Sequence, residues 1–346
     1  MYIEKGMNIM SQKLKIVIPM AGLGKRLRPQ TWSRPKQLIH LADKSVLGHV
    51  MDMFETLPDP ENVEFVFIIG YLGDRVREYM ADVYPDLEVH YIVQEEMRGQ
   101  SHAIYLASEH LTGPMLMVFA DTMIETDLSC LADEEADIVT WVKPVPDPRR
   151  FGVAEVDQKG QVTRLIEKPK SMNNNLAVVG FYYFKKSELL VEAIEEQIRR
   201  DIKLKSEYFL ADAINIMLDD KNLKMRPEKV DVWLDAGTPE AVLETNQYLL
   251  EHGRDNSAQV AGRLGIQVIP PIYIHPEAEV EASVLGPHVA IGAGCRVKGS
   301  VIQNSIIEQN SQVEDVILRD ALIGQDSQVK GQAVTVNLGD NIKVEI

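Results

Sequence analysis

Residues 297–312, VKGSVIQNSIIEQNSQ, lie without a gap over residues 313–328, VEDVILRDALIGQDSQ, and VKGQAV opens a third copy at Val329. Val297, Val313 and Val329 therefore recur every 16 residues. A fixed period of this length marks stacked structural units, each too small to bury its own apolar face. Upstream, Val280, Leu285, Ile291 and Val297 fall at roughly six-residue spacing. About six residues per face and about three faces per turn describe a short parallel β-helix. Glycine and β-branched residues dominate the segment, which argues against a helical repeat. Residues 265–346 are accordingly expected to form this second domain.

The first 250 residues have another texture. Short apolar runs at 14–20, 63–70, 89–93, 114–121 and 136–142 alternate with helical patterns. One such pattern sets Val46, Val50, Met53, Phe54 and Leu57 on a single stripe. This alternation predicts an α/β fold: a Rossmann-like, mixed but mostly parallel sheet with helices on both faces. The runs are continuously apolar, as strands covered on both sides must be. Past residue 145, a hairpin turning at Lys159-Gly160, a strand at 176–184 and helices near 187–200 and 207–219 read as an elaboration of the same sheet. The expected division is a tail at 1–12, a catalytic domain at 13–255 and the β-helix at 265–346.

A net charge of −16 argues against a general nucleic-acid or anionic-membrane binder, which would need a basic face. No run approaches the roughly 18 apolar residues of a membrane span, and the N-terminus lacks a signal-peptide core, so a cytoplasmic location is expected. Cys130 and Cys295, far apart, are expected to be free buried thiols.

Against that acidic background, VIPMAGLGKRLRPQTWSRPKQL (17–38) is anomalous: an apolar strand, two glycines, then five basic residues. Gly22 and Gly24 let backbone N–H groups approach anionic oxygens. The dinucleotide pattern G-x-G-x-x-G fails at Leu27, and the P-loop spacing is absent. The longer string resembles the signature G-x-G-x-R-L-x-P-x-T-x-x-x-P-K of the sugar-1-phosphate nucleotidylyltransferases. Gly22, Gly24, Arg26, Leu27, Pro29, Thr31, Pro35 and Lys36 match it in order. The resemblance covers essentially the whole chain and is closest to the long-form glucose-1-phosphate thymidylyltransferases, whose C-terminal domain is a left-handed β-helix.

The resemblance implies roles for particular residues. Gly22, Gly24 and Lys25 would wrap the nucleoside triphosphate, with Arg26 and Lys36 on its phosphates and the departing pyrophosphate. Asp121, in FADT where the family usually has L-G-D-N, and Asp235, in VWLDAGT, would hold Mg²⁺. Gln94 and Gly99, in VQEEMRGQSHAI, would read the base, while His102 reads as part of the helix scaffold. Gly152, Glu167, Lys168 and Val178 would line the sugar phosphate, Lys168 also holding the nucleophile in line. Lys205 stands where the family begins an Arg-Gly-Glu segment, and lysine cannot form the bidentate guanidinium fork.

What these parts imply is transfer of a nucleotidyl group from an NTP, dTTP first, to a sugar 1-phosphate, glucose 1-phosphate first. Uridylyl transfer to glucose 1-phosphate and guanylyl transfer to mannose 1-phosphate are the alternatives. A non-catalytic regulatory relative would be expected to lose the arginine, the lysine or an aspartate, and all are present. Acyl transfer in the β-helix would need a histidine base, for which only His275 and His288 offer themselves. Assembly into a homo-oligomer is the expected role of the β-helix.

Overall fold

The computed structural model describes residues 12–332. The tail apart from Gln12, and the third repeat copy beyond Gln332, lie outside the described residues. Two compact units divide the chain: one holds the residues up to Ile39 and Ser45–Thr238, the other His40–Lys44 and the residues from Pro239 onward.

In the first unit, strands β1 (Leu14–Pro19), β2 (Val63–Ile69), β3 (Val89–Val93) and β4 (Met115–Val118) run parallel in the order β4-β1-β2-β3. Strands β5 (Ile138–Pro144), β6 (Gly152–Val156), β7 (Val162–Glu167), β8 (Leu176–Phe184) and β9 (Met225–Lys229) complete the same sheet. The long strand β8 runs antiparallel to β4 and pairs with both β5 and β6. The β6–β7 hairpin turns at Lys159-Gly160, as the sequence predicts, with Gly160 at a φ of 78°. The expected fold class is the observed one, and the region past residue 145 is indeed an elaboration of one sheet.

Burial explains the continuous apolar strands. Val17, Val66, Ile68 and Met117 pack in one cluster with Ala103 and Ile104, Leu190 and Ile194, and Ile214 and Met217. Those partners come from helices at Gln100–Leu106, Ser187–Arg199 and Leu210–Lys221. Each buried aliphatic side chain contributes about 1.5–3 kcal/mol of transfer free energy. The packing fixes the carboxyl ends of β1 to β4 along one edge of the sheet, and ligands of open α/β sheets gather there.

Cys130 departs from expectation. Both thiols are free, but only Cys295 is buried. The turn Leu128–Leu131 directs Leu128 and Leu131 inward, so Ser129 and Cys130 between them face solvent.

The second unit is the β-helix with the segments that close it. Among the described residues its strands form three four-stranded parallel sheets, each coil adding one strand to each. Val297 pairs with Val313, and Val313 with Val329, so the 16-residue period is one coil. Ile274, Leu285, Ile291, Val297, Ile302, Ile307 and Val313 fill the interior. Serines stitch the corners: Ser300 Oγ donates to the Lys298 carbonyl at 2.8 Å and accepts from the Val316 N–H at 3.3 Å. Ser305 and Ser311 likewise accept from the Ala321 and Ser327 N–H groups, each at 3.1 Å.

The helix Pro239–Glu251, expected within the first domain, belongs to this second unit. Buried Asn246 accepts a 2.8 Å hydrogen bond from the Ala42 N–H, and Arg254 pairs with Asp43. His40 donates its N–H to Glu308 at 2.9 Å. The amphipathic stripe of this helix shows that it packs but not what it packs on.

Candidate active site

At the end of β1 the chain passes through Gly22 and Gly24 into a single turn, Lys25–Leu27. Gly24 has a φ of 58°, and a Cβ there would lie 2.9 Å from the Thr31 methyl. Thr31 also donates its hydroxyl to the Gly24 carbonyl at 2.8 Å. Gly24 is therefore required by the loop itself. Gly22 is different: a Cβ on it would meet nothing within 4 Å, and its φ is outside the left-handed region. The chain leaves open space beside Gly22, as a phosphate cradle must.

The second turn, Lys36–Leu38, is fixed by fully buried Gln37, which donates to the Met20 carbonyl at 3.1 Å. This delivers the Lys36 ammonium to the Asp121 carboxylate, with which it forms an ion pair. Asp121 follows β4, the sheet neighbour of β1, so topology alone brings the glycine loop and this acid together. Asp235 arrives by a short antiparallel pair, Thr122–Ile124 with Trp233–Asp235, in which Asp235 stands opposite Thr122. The Ala236 N–H donates to the Asp121 carbonyl at 3.2 Å, closing the junction.

The electrostatics of the two acids diverge. Burial works to raise Asp121, but the Lys36 ammonium outweighs it and holds the carboxyl below its ordinary range. Asp235 is pushed up, first by burial and then by the Asp121 charge, with Arg26 and Lys36 opposing. Arg26 approaches the same point: a Cβ on Gly237 would lie 2.9 Å from its guanidinium and 3.1 Å from the Asp235 carboxylate. Arg26, Lys36, Asp121 and Asp235 thus converge. Gly237, unremarked as a site residue in the sequence, makes room for Arg26 and Asp235, and its signal was its place in VWLDAGT.

Gln94 follows β3, its N–H donating to the Ile69 carbonyl at 2.8 Å. Its side-chain amide donates to the Gly99 carbonyl at 3.3 Å and lies 3.4 Å from His102 Nδ1. Gly99 has a φ of 105°, and a Cβ there would sit 2.5 Å from the Tyr208 backbone. Its glycine is needed for that close chain crossing.

On the far side, Gly152 pairs with Glu167 across the β6–β7 hairpin, and a Cβ at Gly152 would lie 3.2 Å from the Glu167 carboxylate. Glu167 is raised chiefly by burial, with Lys168, 3.4 Å away, opposing and Asp212 and Glu207 adding to it. The Lys168 ammonium also lies 4.7 Å from the Phe209 ring centre, a cation–π contact that nothing in the sequence pattern announced. Val178 is a buried β8 residue paired with Val142. Lys25 is exposed, and Lys205 is exposed on a turn with a φ of 51°, without a hydrogen bond or ion pair among the described residues.

A family model described as nucleotidyl transferase matches residues 15–252, most of the chain. The chain belongs to that family. A second model, described as GMPPB C-terminal domain, matches residues 268–345. The low-salt glycan biosynthesis nucleotidyltransferase Agl11 of Haloferax volcanii is 30% identical, the match covering 91% of this chain and 94% of the relative. A glucose-1-phosphate thymidylyltransferase of Streptomyces antibioticus is 28% identical over 96% of this chain and 99% of its own. The family's fold likeness extends to a Bacillus anthracis crystal structure described as a glucose-1-phosphate thymidylyltransferase with sucrose. It has a TM-score of 0.58, 21% identity, and covers 70% of this chain and 96% of its own. Among the described residues no helix is long and apolar enough to cross a membrane.

Proposed function

We propose that this nucleotidyltransferase transfers a nucleotidyl group to a sugar 1-phosphate, with dTTP and glucose 1-phosphate the leading pair. The observation that carries the reading is the convergence of Arg26, Lys36, Asp121 and Asp235 beside the open Gly22 loop. Two relatives, from Streptomyces antibioticus and Streptomyces griseus, are named glucose-1-phosphate thymidylyltransferase, which supports this pair.

In the reaction a sugar-phosphate oxygen attacks the α-phosphorus, a new P–O bond forms, and the bond to pyrophosphate breaks. The attacking phosphate is already an anion at neutral pH, so no general base is needed. The demand is alignment of two anions and neutralisation of charge. Backbone N–H groups around Gly22 would cradle the triphosphate, and Arg26 and Lys36 would take up charge on the departing pyrophosphate. Lys168, propped against Glu167 and the Phe209 ring, would hold the attacking phosphate in line.

Asp121 and Asp235 suit a divalent cation. They are hard oxygen donors whose mutual repulsion already shows in the raised Asp235. No group of three or more His, Cys, Asp or Glu side chains among the described residues forms an all-protein cage. Two carboxylates with phosphate oxygens completing the set is the usual arrangement for Mg²⁺, and Asp121 and Asp235 would hold such an ion, whose charge would offset that of the phosphates.

The test is pyrophosphate release with glucose 1-phosphate, Mg²⁺ and each of dTTP, UTP, GTP, CTP and ATP. Turnover lost in Asp121→Ala is the expected result; silence with every nucleotide and with other sugar phosphates would refute the proposal. Uridylyl transfer is the second reading, favoured by a uridylyltransferase relative, AglF of Haloferax volcanii, 27% identical over 69% of this chain. Guanylyl transfer to mannose 1-phosphate is the third.

A further inference from the structure

Lys168 is held in an unusual way. Its backbone has a φ of 48°, in the left-handed region that strains a residue with a side chain, and its N–H donates to the Phe151 carbonyl at 2.9 Å. Its ammonium lies 3.4 Å from the Glu167 carboxylate and 4.7 Å from the centre of the Phe209 ring. The carboxylate is a weak tether. The Lys168 side chain is half-exposed, and an ion pair of that kind contributes little. Glu167 is also expected to take sugar hydroxyls, so it is not reserved for the lysine. The ring is a different support: it attracts a cation through its quadrupole and carries no net charge. A second carboxylate in its place would repel an incoming phosphate, in a region where Asp212 and Glu207 already add to the burial that raises Glu167.

The mount of the ring is fixed on both sides. Phe209 is buried and immediately precedes the helix Leu210–Lys221. Fully buried Gln197 donates to the Phe209 carbonyl at 2.9 Å, and the Leu210 N–H donates to Gln100 at 3.4 Å. Tyr208, the residue before, donates its N–H to the Arg98 carbonyl at 2.9 Å and accepts from the Ser101 N–H at 3.1 Å. We infer that Phe209 is a positioning residue whose ring holds the Lys168 ammonium at the sugar-phosphate site, fixing where the attacking phosphate binds without adding negative charge there. The inference rests on the reading of Lys168 as a phosphate ligand under the proposed function. A lysine stem has many rotamers, and the ring face selects among them before the substrate arrives. Such preorganisation acts on the sugar phosphate and not on the nucleotide.

The experiment measures kcat and both KM values with Mg²⁺, the best of the five nucleotides, and the better acceptor of glucose 1-phosphate and mannose 1-phosphate. The proteins are the wild type, Phe209→Leu, Phe209→Tyr, Lys168→Met and the Lys168→Met, Phe209→Leu double variant, with Tm for each. Phe209→Leu keeps an apolar side chain and removes the π face. Its kcat/KM for the sugar phosphate should fall about three- to thirtyfold, the range of a cation–π contact, with the nucleotide KM little changed. Phe209→Tyr, which keeps the face, should retain most of the wild-type value. In the Lys168→Met background Phe209→Leu should cost nothing further, because the cation is gone. If Phe209→Tyr melts too low to assay, that cycle decides alone. A Phe209→Leu value equal to the wild type, a fall of the same size in Lys168→Met, or an equal rise in both KM values would overturn the inference while leaving the transferase reading intact. Silence of the wild type with every nucleotide and sugar phosphate would instead defeat the underlying reading.

Discussion

The sharpest contrast in the molecule is between two glycines separated by one residue. Replacing Gly22 by alanine adds a methyl where the chain has no atom within 4 Å, at a φ outside the left-handed region. The folded state gains no clash, and the unfolded state loses freedom, so stability should rise by about 0.4–1 kcal/mol. For a chain of this size that is about 1–3 °C in Tm. If the open space receives a triphosphate, the same methyl holds its oxygens away from the loop's N–H groups. Loss of one charge-assisted hydrogen bond costs about 1.5–3 kcal/mol, or roughly ten- to a hundredfold in nucleotide affinity. Gly24→Ala is the control: a φ of 58° and the Thr31 methyl 2.9 Å away should cost stability instead. Differential scanning calorimetry gives the first quantity, and calorimetric titration with a non-hydrolysable NTP analogue the second. A Gly22→Ala protein that melts several degrees lower, or that binds nucleotide as the wild type does, would refute the cradle.

Gly237→Ala would displace the Arg26 guanidinium by several tenths of an ångström; kcat/KM for pyrophosphate release should fall about ten- to a hundredfold with little change in Tm, and activity within twofold of wild type would argue against Arg26 as a phosphate ligand. Gly99→Ala meets the Tyr208 backbone at 2.5 Å, which cannot yield as a side-chain tip could, so its loss should appear as lowered thermal stability. The two acids proposed to hold a cation, Asp121 and Asp235, should move stability in opposite directions with pH. Asp235, raised in the folded state, binds its proton more tightly there than in the unfolded chain, so stability present below its ordinary pKa is lost as pH rises through the folded value. Asp235→Asn should therefore raise Tm at pH 7 without ligand. Asp121 is lowered, so its contribution is present above its ordinary pKa and lost as pH falls through the folded value; Asp121→Asn should lower Tm at pH 7. Added Mg²⁺ with NTP should raise the wild-type Tm and leave that of Asp235→Asn nearly unmoved, a readout independent of turnover.

Much of this arrangement was legible because it is local or periodic. The strands announce themselves as continuous apolar runs, and the 16-residue spacing of Val297, Val313 and Val329 translates directly into paired strands. Asp121 was legible from its place just past a buried strand. What escaped depends on where distant segments meet. Gly237 matters only once Arg26 is known to lie against it, and Phe209 only once its ring is found beneath Lys168. The need for glycine at position 99 comes from Tyr208, over a hundred residues away. The division into compact units turns on the same kind of contact. Pro239–Glu251 has an ordinary amphipathic stripe, and its commitment to the second unit lies in Asn246 reaching Ala42.

That last contact bears on how the chain is made. His40–Lys44 is translated early, yet the group that satisfies the Ala42 N–H is 204 residues downstream, and the carboxylate that receives the His40 N–H is 268 residues downstream. At about 5–20 residues per second, the ribosome needs roughly 10–50 s to deliver these partners. Throughout that interval the short segment waits, a few residues after Lys36, with its own unit not yet synthesised. A shortened gene ending near Thr238 would make this delay permanent. The nascent protein is thus committed to late closure, and the residues next to a candidate catalytic lysine are among the last to find their permanent neighbours.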